Sequence, residues 1–175
     1  IVPALLMGNT VILKPSQHTP LSSYYLAEAF EKAGFPKGVF NLVTGRGGEV
    51  GNALSSHPLV DMISFTGSTS GGVTVGKKAL ESVKHISLEL GGKSPYVILS
   101  AKDHNYTEPI HLCFNSIFLN SGQTCTAFSR LLIPEEEKGI IEKQLVEIAK
   151  EYTVGDPTDH PVNLGRVSSR QQFEQ

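Results

Sequence analysis

Tryptophan is absent from this 175-residue chain, and cysteine and methionine occur only twice each. Two cysteines, Cys113 and Cys125, do not make a disulfide framework, and their spacing has no metal-site logic. The six histidines (His18, His57, His85, His104, His111 and His160) are scattered without a His-x-x-x-His pair, so no metal site is expected. An excess of one charge is lacking as well. Fifteen basic residues against 17 acidic ones give a net charge of −2, which argues against a nucleic-acid partner. No apolar run approaches the roughly 20 residues that span a bilayer. The longest is Ile1–Met7, and no basic segment precedes it as one would in a signal peptide. These absences point to a cytoplasmic protein with neither a membrane nor a nucleic-acid partner.

What is present suits a globular protein: 39% hydrophobic residues, with 17 glycines and 10 prolines. The length fits one domain or pieces of two, and suffices to bury a core without disulfides. The chain opens on Ile1 rather than Met, inside an apolar stretch, and ends after a Ser/Arg/Gln patch. It is expected to be a piece of something longer.

Strand and helix patterns alternate along the sequence. Short apolar runs predict strands at Thr10–Lys14, Val39–Val43, Val60–Phe65, His85–Leu90, Pro95–Leu99 and Phe128–Ile133. Thr19-Pro20 reads as an N-cap followed by Pro at the first helical position, opening a helix over Leu21–Ala33 that Gly34 stops. Further helices are expected at Glu49–Ser55, from Thr69 to about Val83, at Thr107–Asn120 and at Pro134–Tyr152. In the helix from Thr107, residues Ile110, Cys113, Phe114 and Ile117 share one face. In the last helix Ile140, Ile141, Leu145 and Ile148 should point inward, with acidic residues early as the helix dipole favours. The tail from Gly155 reads as loop. This alternation implies an α/β fold with parallel sheets. A boundary near Gly91-Gly92 would divide the chain into parts 1–91 and 92–175, because two strands meet there without a helix between them.

Four segments could carry chemistry. Gly45, Gly47 and Gly51 follow a strand and open a helix, but Val50 sits where Gly-x-Gly-x-x-Gly requires its third glycine. By itself that is a flexible turn. Thr66-Gly67-Ser68-Thr69 runs from a buried strand into a helix start, which can bind an anion such as a pyrophosphate, or can simply be capped by a hydroxyl. Glu89 lies between Leu88 and Leu90, so on a strand it faces opposite to both. It is either a solvated carboxylate or a general base, and Gly91-Gly92 after it permits close approach of a backbone or a ligand. Cys113 packs as a small hydrophobe on its helix, whereas Cys125 sits in a polar, Gly-containing loop suited to a reactive thiolate.

Taken together these segments resemble the aldehyde dehydrogenase superfamily. LELGGKS around Glu89 and FLNSGQTC ending at Cys125 are similar to its glutamate and cysteine signatures. GNTVILKPS around Lys14, then TPLS, GFPKGVFNLVTG, ISFTGST and VGDP follow in the family's order and spacing. The resemblance implies a Rossmann-like cofactor domain over 1–91, followed by the first part of an α/β catalytic domain over 92–175. It implies oxidation of a small-molecule aldehyde to a carboxylic acid with NAD, or with NADP. Cys125 would be the nucleophile, its backbone N–H part of the oxyanion hole, and Glu89 the base that activates water against the thioester. Lys14 and Gln17 would hold the adenosine ribose, Gly47 the adenine end, Thr66 and Gly67 the nicotinamide, and Ser68 the pyrophosphate. Leu90 and Gly91 would complete the cofactor-binding set. The full-length protein would be a homodimer or homotetramer. A CoA- or phosphate-dependent acylating relative and a non-catalytic homologue are the alternatives.

The sequence departs from the family pattern at Gln17, where a Glu often stands and repels the 2′-phosphate of NADP. The family's Pro-Trp-Asn-Phe-Pro and Glu-Glu-Ile-Phe-Gly-Pro segments and its oligomerisation arm are not in these 175 residues. The fragment alone is therefore expected not to turn over aldehyde.

Overall fold

In the computed structural model of the protein, residues 1–100, 103–159 and 163–174 are described. They form two compact units, Ile1–Glu89 and Leu90–Gln175.

The first unit opens with a short helix, α1 (Val2–Leu6), in the apolar run where no element was expected; Pro3 stands in its first turn. Strand β1 (Val11–Leu13) leads through helix α2 (Leu21–Lys32) to β2 (Phe40–Leu42), and the two strands pair in parallel, Val11 opposite Phe40. Helix α2 packs on β2 through Phe30, whose ring stacks on Phe40 at 4.5 Å and meets Phe35 edge-on at 4.8 Å. Thr19 does not cap α2. The helix starts one residue later than expected, with Pro20 itself in the cap position and no side-chain cap.

After β2, the expected helix from Glu49 is instead a wide π-helical turn, Gly47–Gly51, running into α3 (Asn52–Ser56). Then β3 (Met62–Thr66), α4 (Thr69–Leu80) and β4 (His85–Glu89) follow, the two strands forming another parallel pair with Thr66 opposite Glu89. Helix α4 packs on both strands and on α3. A Cβ on its Gly76 would lie 3.7 Å from Ile86 Cδ1, so that glycine marks the helix–sheet contact. Lys84, nearly buried, donates to the carbonyls of His57 and Val60, both at 2.7 Å.

In the second unit β5 (Pro95–Val97) pairs in parallel with β6 (Arg130–Leu132), and α5 (Thr107–Ile117) packs on α6 (Lys138–Ala149). The core joins Ile98, Tyr106, Ile110, Ile141 and Ile148, with Phe114, Leu145 and Tyr152 packed against it. Burying each isoleucine contributes about 1.5–3 kcal/mol. Cys113 is buried on the α5 face as its spacing predicts. Ile140 is not: it is 39% exposed, because α6 turns Ile141 rather than Ile140 onto α5. Helix α5 ends three residues earlier than expected, and α6 begins only after a 3₁₀ turn at Glu135–Glu137. Part of the expected tail loop is ordered as a parallel bridge between Val154 and Leu164 and as helix α7 (Arg170–Phe173), capped by Ser169. Residues 160–162 of that tail, His160 among them, lie outside the described residues.

Candidate functional site

The candidate residues of the first unit stand at the carboxyl ends of its parallel strands, where ligands of open α/β sheets bind. Lys14 follows β1. Its half-buried ammonium donates to the carbonyls of Pro15 at 2.7 Å and Gly45 at 3.4 Å, tying the ends of β1 and β2 together. Gly45 has φ +150°, and a Cβ there would lie 2.5 Å from Val50 Cγ2. Val50, the residue that breaks the glycine fingerprint, therefore fills the space that makes Gly45 obligatory. Gly51 packs on the Lys14 stem, whereas Gly47 has open space around it. An open cavity of about 390 Å³ lies beside this turn, lined by Ser16, Gln17, His18, Thr44, Gly45 and Arg46 among others. Gln17 is exposed there, with its amide nitrogen 3.4 Å from His18 Nε2. Sequence reasoning missed Arg46 and His18 as neighbours of Gln17; Arg46 inside the glycine turn was the available signal.

At the ends of β3 and β4, Thr66 pairs with Glu89, and the Gly67 amide donates to the Glu89 carbonyl at 3.0 Å. These three candidates are thus brought together. Phe65 lies over the turn. A Cβ would meet its Cζ at 2.7 Å from Gly67 and at 2.9 Å from Gly71, so a side chain at either position would push the ring out of this place. Ser68 caps α4: its hydroxyl accepts from the Gly71 amide at 3.1 Å and lies 3.2 Å from Ser70 Oγ. Glu89 is exposed, Leu90 half-buried and Gly91 exposed with open space around it.

Cys125 belongs to the second unit and is exposed, in contrast to buried Cys113, whose thiol burial pushes up in pKa. The backbone before it leaves α5 through a tight turn, Leu119–Gly122. Asn120 (φ 53°, ψ 42°) and Ser121 (φ 56°, ψ 38°) are left-handed, as is Gly122 (φ 79°). Such geometry costs about 1–2 kcal/mol for each residue other than glycine, and persists only where the surroundings hold it. Thr124 Oγ1 donates to the Leu119 carbonyl at 3.1 Å, and the Phe128 amide donates to Ser116 Oγ at 3.3 Å. The glycine pair does admit another backbone: a Cβ on Gly92 would lie 3.1 Å from the Cys125 carbonyl oxygen. A cavity of about 450 Å³ adjoins this turn, bounded by Gly92, Lys93, Phe118, Ser121, Thr124 and Leu164 among others. Among the described residues no group of three His, Cys, Asp or Glu side chains could hold a metal ion, and no helix is long and apolar enough to cross a membrane.

The family model described as "Aldehyde dehydrogenase family" matches residues 1–175. The chain belongs to the aldehyde dehydrogenase family. A putative aldehyde dehydrogenase of Staphylococcus haemolyticus is 46% identical over 171 residues, covering 98% of this chain and 36% of that protein. Another, from Staphylococcus aureus, is 44% identical over 172 residues with the same coverage. This aldehyde dehydrogenase chain thus spans about a third of the length of the curated relatives it matches. Among solved structures, a mutant of aldehyde dehydrogenase C of Pseudomonas syringae, complexed with NAD+ and octanal, superposes with a TM-score of 0.91 at 40% identity. It is covered to 35%, and this chain to 98%. Betaine aldehyde dehydrogenase of Staphylococcus aureus in complex with NAD+ gives 0.92 at 37% identity, with 99% of this chain and 34% of that one covered. The parallel α/β architecture is therefore that of aldehyde dehydrogenases.

Proposed function

We propose that this chain carries the nucleophile, the general base and much of the dinucleotide site of an NAD-dependent aldehyde dehydrogenase that releases a free carboxylic acid. The observation that carries this reading is the contrast between the two thiols. Cys125 is exposed in the loop that follows a left-handed turn, and that turn lines a cavity, while Cys113 is locked inside a helix face.

The donor set fits a dinucleotide. An ammonium, an amide, hydroxyls and a glycine-rich turn stand at the ends of parallel strands. Two of the three Lys14 N–H donors are used by carbonyls, and the third is left for a ribose hydroxyl. Gln17 would border the same ribose and Gly47 the adenine side. Thr66 and Gly67, held against the Glu89 backbone, would bound the nicotinamide with Leu90 and Gly91, and Ser68 would face the pyrophosphate. NAD+ bound in the structural neighbours supports NAD as the cofactor.

The Cys125 thiolate adds to the aldehyde carbonyl carbon, forming a C–S bond and an oxyanion that the Cys125 amide can stabilise. Bound NAD+ supplies the hydride acceptor that turns this thiohemiacetal into a thioester. Glu89 takes a proton from water, the hydroxide adds to the thioester carbon, and the C–S bond breaks to return the thiolate. The protein would act as a cytoplasmic homodimer or homotetramer, which sizing of the full-length enzyme tests. For the chemistry, the product decides: free acid formed without CoA or phosphate supports the reading, and an acyl-CoA or acyl phosphate product overturns it.

A further inference from the structure

We propose that Gln123 is the positioning residue of the Cys125 loop, acting through a side-chain amide that ties the left-handed turn to the segment before α7. The proposal rests on the reading of Cys125 as the nucleophile. The break of α5 at Phe118 leaves the Leu119 and Asn120 carbonyls outside the helix ladder. Thr124 covers the first with its hydroxyl. Gln123 covers the second twice, with its backbone amide at 3.2 Å and its side-chain Nε2 at 3.0 Å. The same half-buried side chain then accepts, at Oε1, the backbone N–H of Ser168 at 2.8 Å. One planar group therefore fixes two ends: the carbonyl of the first left-handed residue, and a strand of chain 45 positions further on.

Glutamine at this position meets the requirement because one end donates and the other accepts. Methionine has the length without either function. Glutamate keeps the acceptor for Ser168 and loses the donor to Asn120. Cys125 stands three positions after the turn, so drift of the turn changes where the thiol and its own amide point. A misplacement of about 1 Å at a reacting centre can cost on the order of 100-fold in rate.

The test compares Gln123→Met and Gln123→Glu with the parent in the full-length enzyme. Gln123→Met is expected to lower kcat by about 30-fold or more with KM changed less than about threefold, and Gln123→Glu to fall between it and the parent. Amide hydrogen exchange over residues 120–125 should rise at least about tenfold in Gln123→Met, with the thermal midpoint of the whole protein nearly unchanged. Unchanged kcat and unchanged exchange in both variants would overturn the proposal, as would a kcat loss that only follows a fall in melting temperature. If Gln123→Met does not fold, Gln123→Glu decides by the same two readouts. Cys125→Ala is run in parallel. Turnover surviving there would sink the nucleophile reading, while exchange in the Gln123 variants still reports on the strap.

Discussion

The α-carbon of Gly92 stands so close to the Cys125 backbone that an added Cβ would lie 3.1 Å from the Cys125 carbonyl oxygen. A backbone oxygen cannot rotate aside as a side chain can. Gly92→Ala should therefore push the cysteine loop rather than the alanine, at a cost of about 1–3 kcal/mol. The expected outcome is a lower urea midpoint, with aldehyde turnover reduced well beyond the loss of folded protein. Wild-type midpoint and turnover would show that the loop has room to move.

Gln17 lines a cavity with His18 and Arg46, and no carboxylate is among its described lining residues. A neutral amide there does not repel a 2′-phosphate. The full-length enzyme should use NADP measurably as well as NAD. Gln17→Glu should raise the ratio of kcat/KM for NAD over NADP by about tenfold or more, about 1.4 kcal/mol of discrimination. An unchanged ratio would separate Gln17 from cofactor choice.

Glu137 is a buried carboxylate that accepts from His104 Nδ1 at 2.8 Å and Ser100 Oγ at 3.1 Å. The His104 hydrogen bond, aided by Ser100 and Tyr106, holds its carboxyl below the usual glutamate range against the opposing effect of burial. A depressed folded-state pKa stabilises the protein above the unfolded value of about 4.3, and that contribution is lost as pH falls through the lower folded value. Parent and Glu137→Gln should therefore differ more in urea midpoint at about pH 6 than at about pH 3, the gap narrowing once pH falls below about 4.3. A difference that stays constant between those pH values would contradict this.

Lys84 clips the loop before β3 to the turn before β4 through two carbonyls at 2.7 Å. Lys84→Met keeps the stem and removes both bonds, leaving the His57 and Val60 oxygens without these donors. The expected loss is about 2–4 kcal/mol by denaturant unfolding of the chain. A loss below about 1 kcal/mol would mean that water replaces the ammonium without penalty.

Among the described residues, all six strands were legible in the sequence because each is a short apolar run bounded by glycine, proline or polar residues, and strand–helix alternation correctly implied parallel pairing. What escaped depends on distant partners. Only Gly122 announces the turn before Cys125; the left-handed Asn120 and Ser121 are held in part by Gln123, itself tied to Ser168. Glu137 reads as one more acid at a helix start, yet it is buried under His104 and Ser100, more than 30 positions earlier. On α6 Ile140 stands about 100° around the helix from Ile141, and it falls outside the stripe that Ile141, Leu145 and Ile148 turn to the core. The contrast between Cys113 and Cys125 was legible, because one lies on an apolar helix stripe and the other among polar loop residues.

In the proposed mechanism Cys125 carries the acyl group and Glu89 activates the water that removes it. Intact-protein and peptide mass spectrometry of full-length Glu89→Gln enzyme, mixed with an aldehyde and NAD+, tests it most directly. About one equivalent of NADH in a burst is expected, with slow turnover afterwards and the acyl mass on the peptide containing Cys125. An acyl group on any other residue, or steady turnover at the parent rate with no acyl-enzyme, would contradict it.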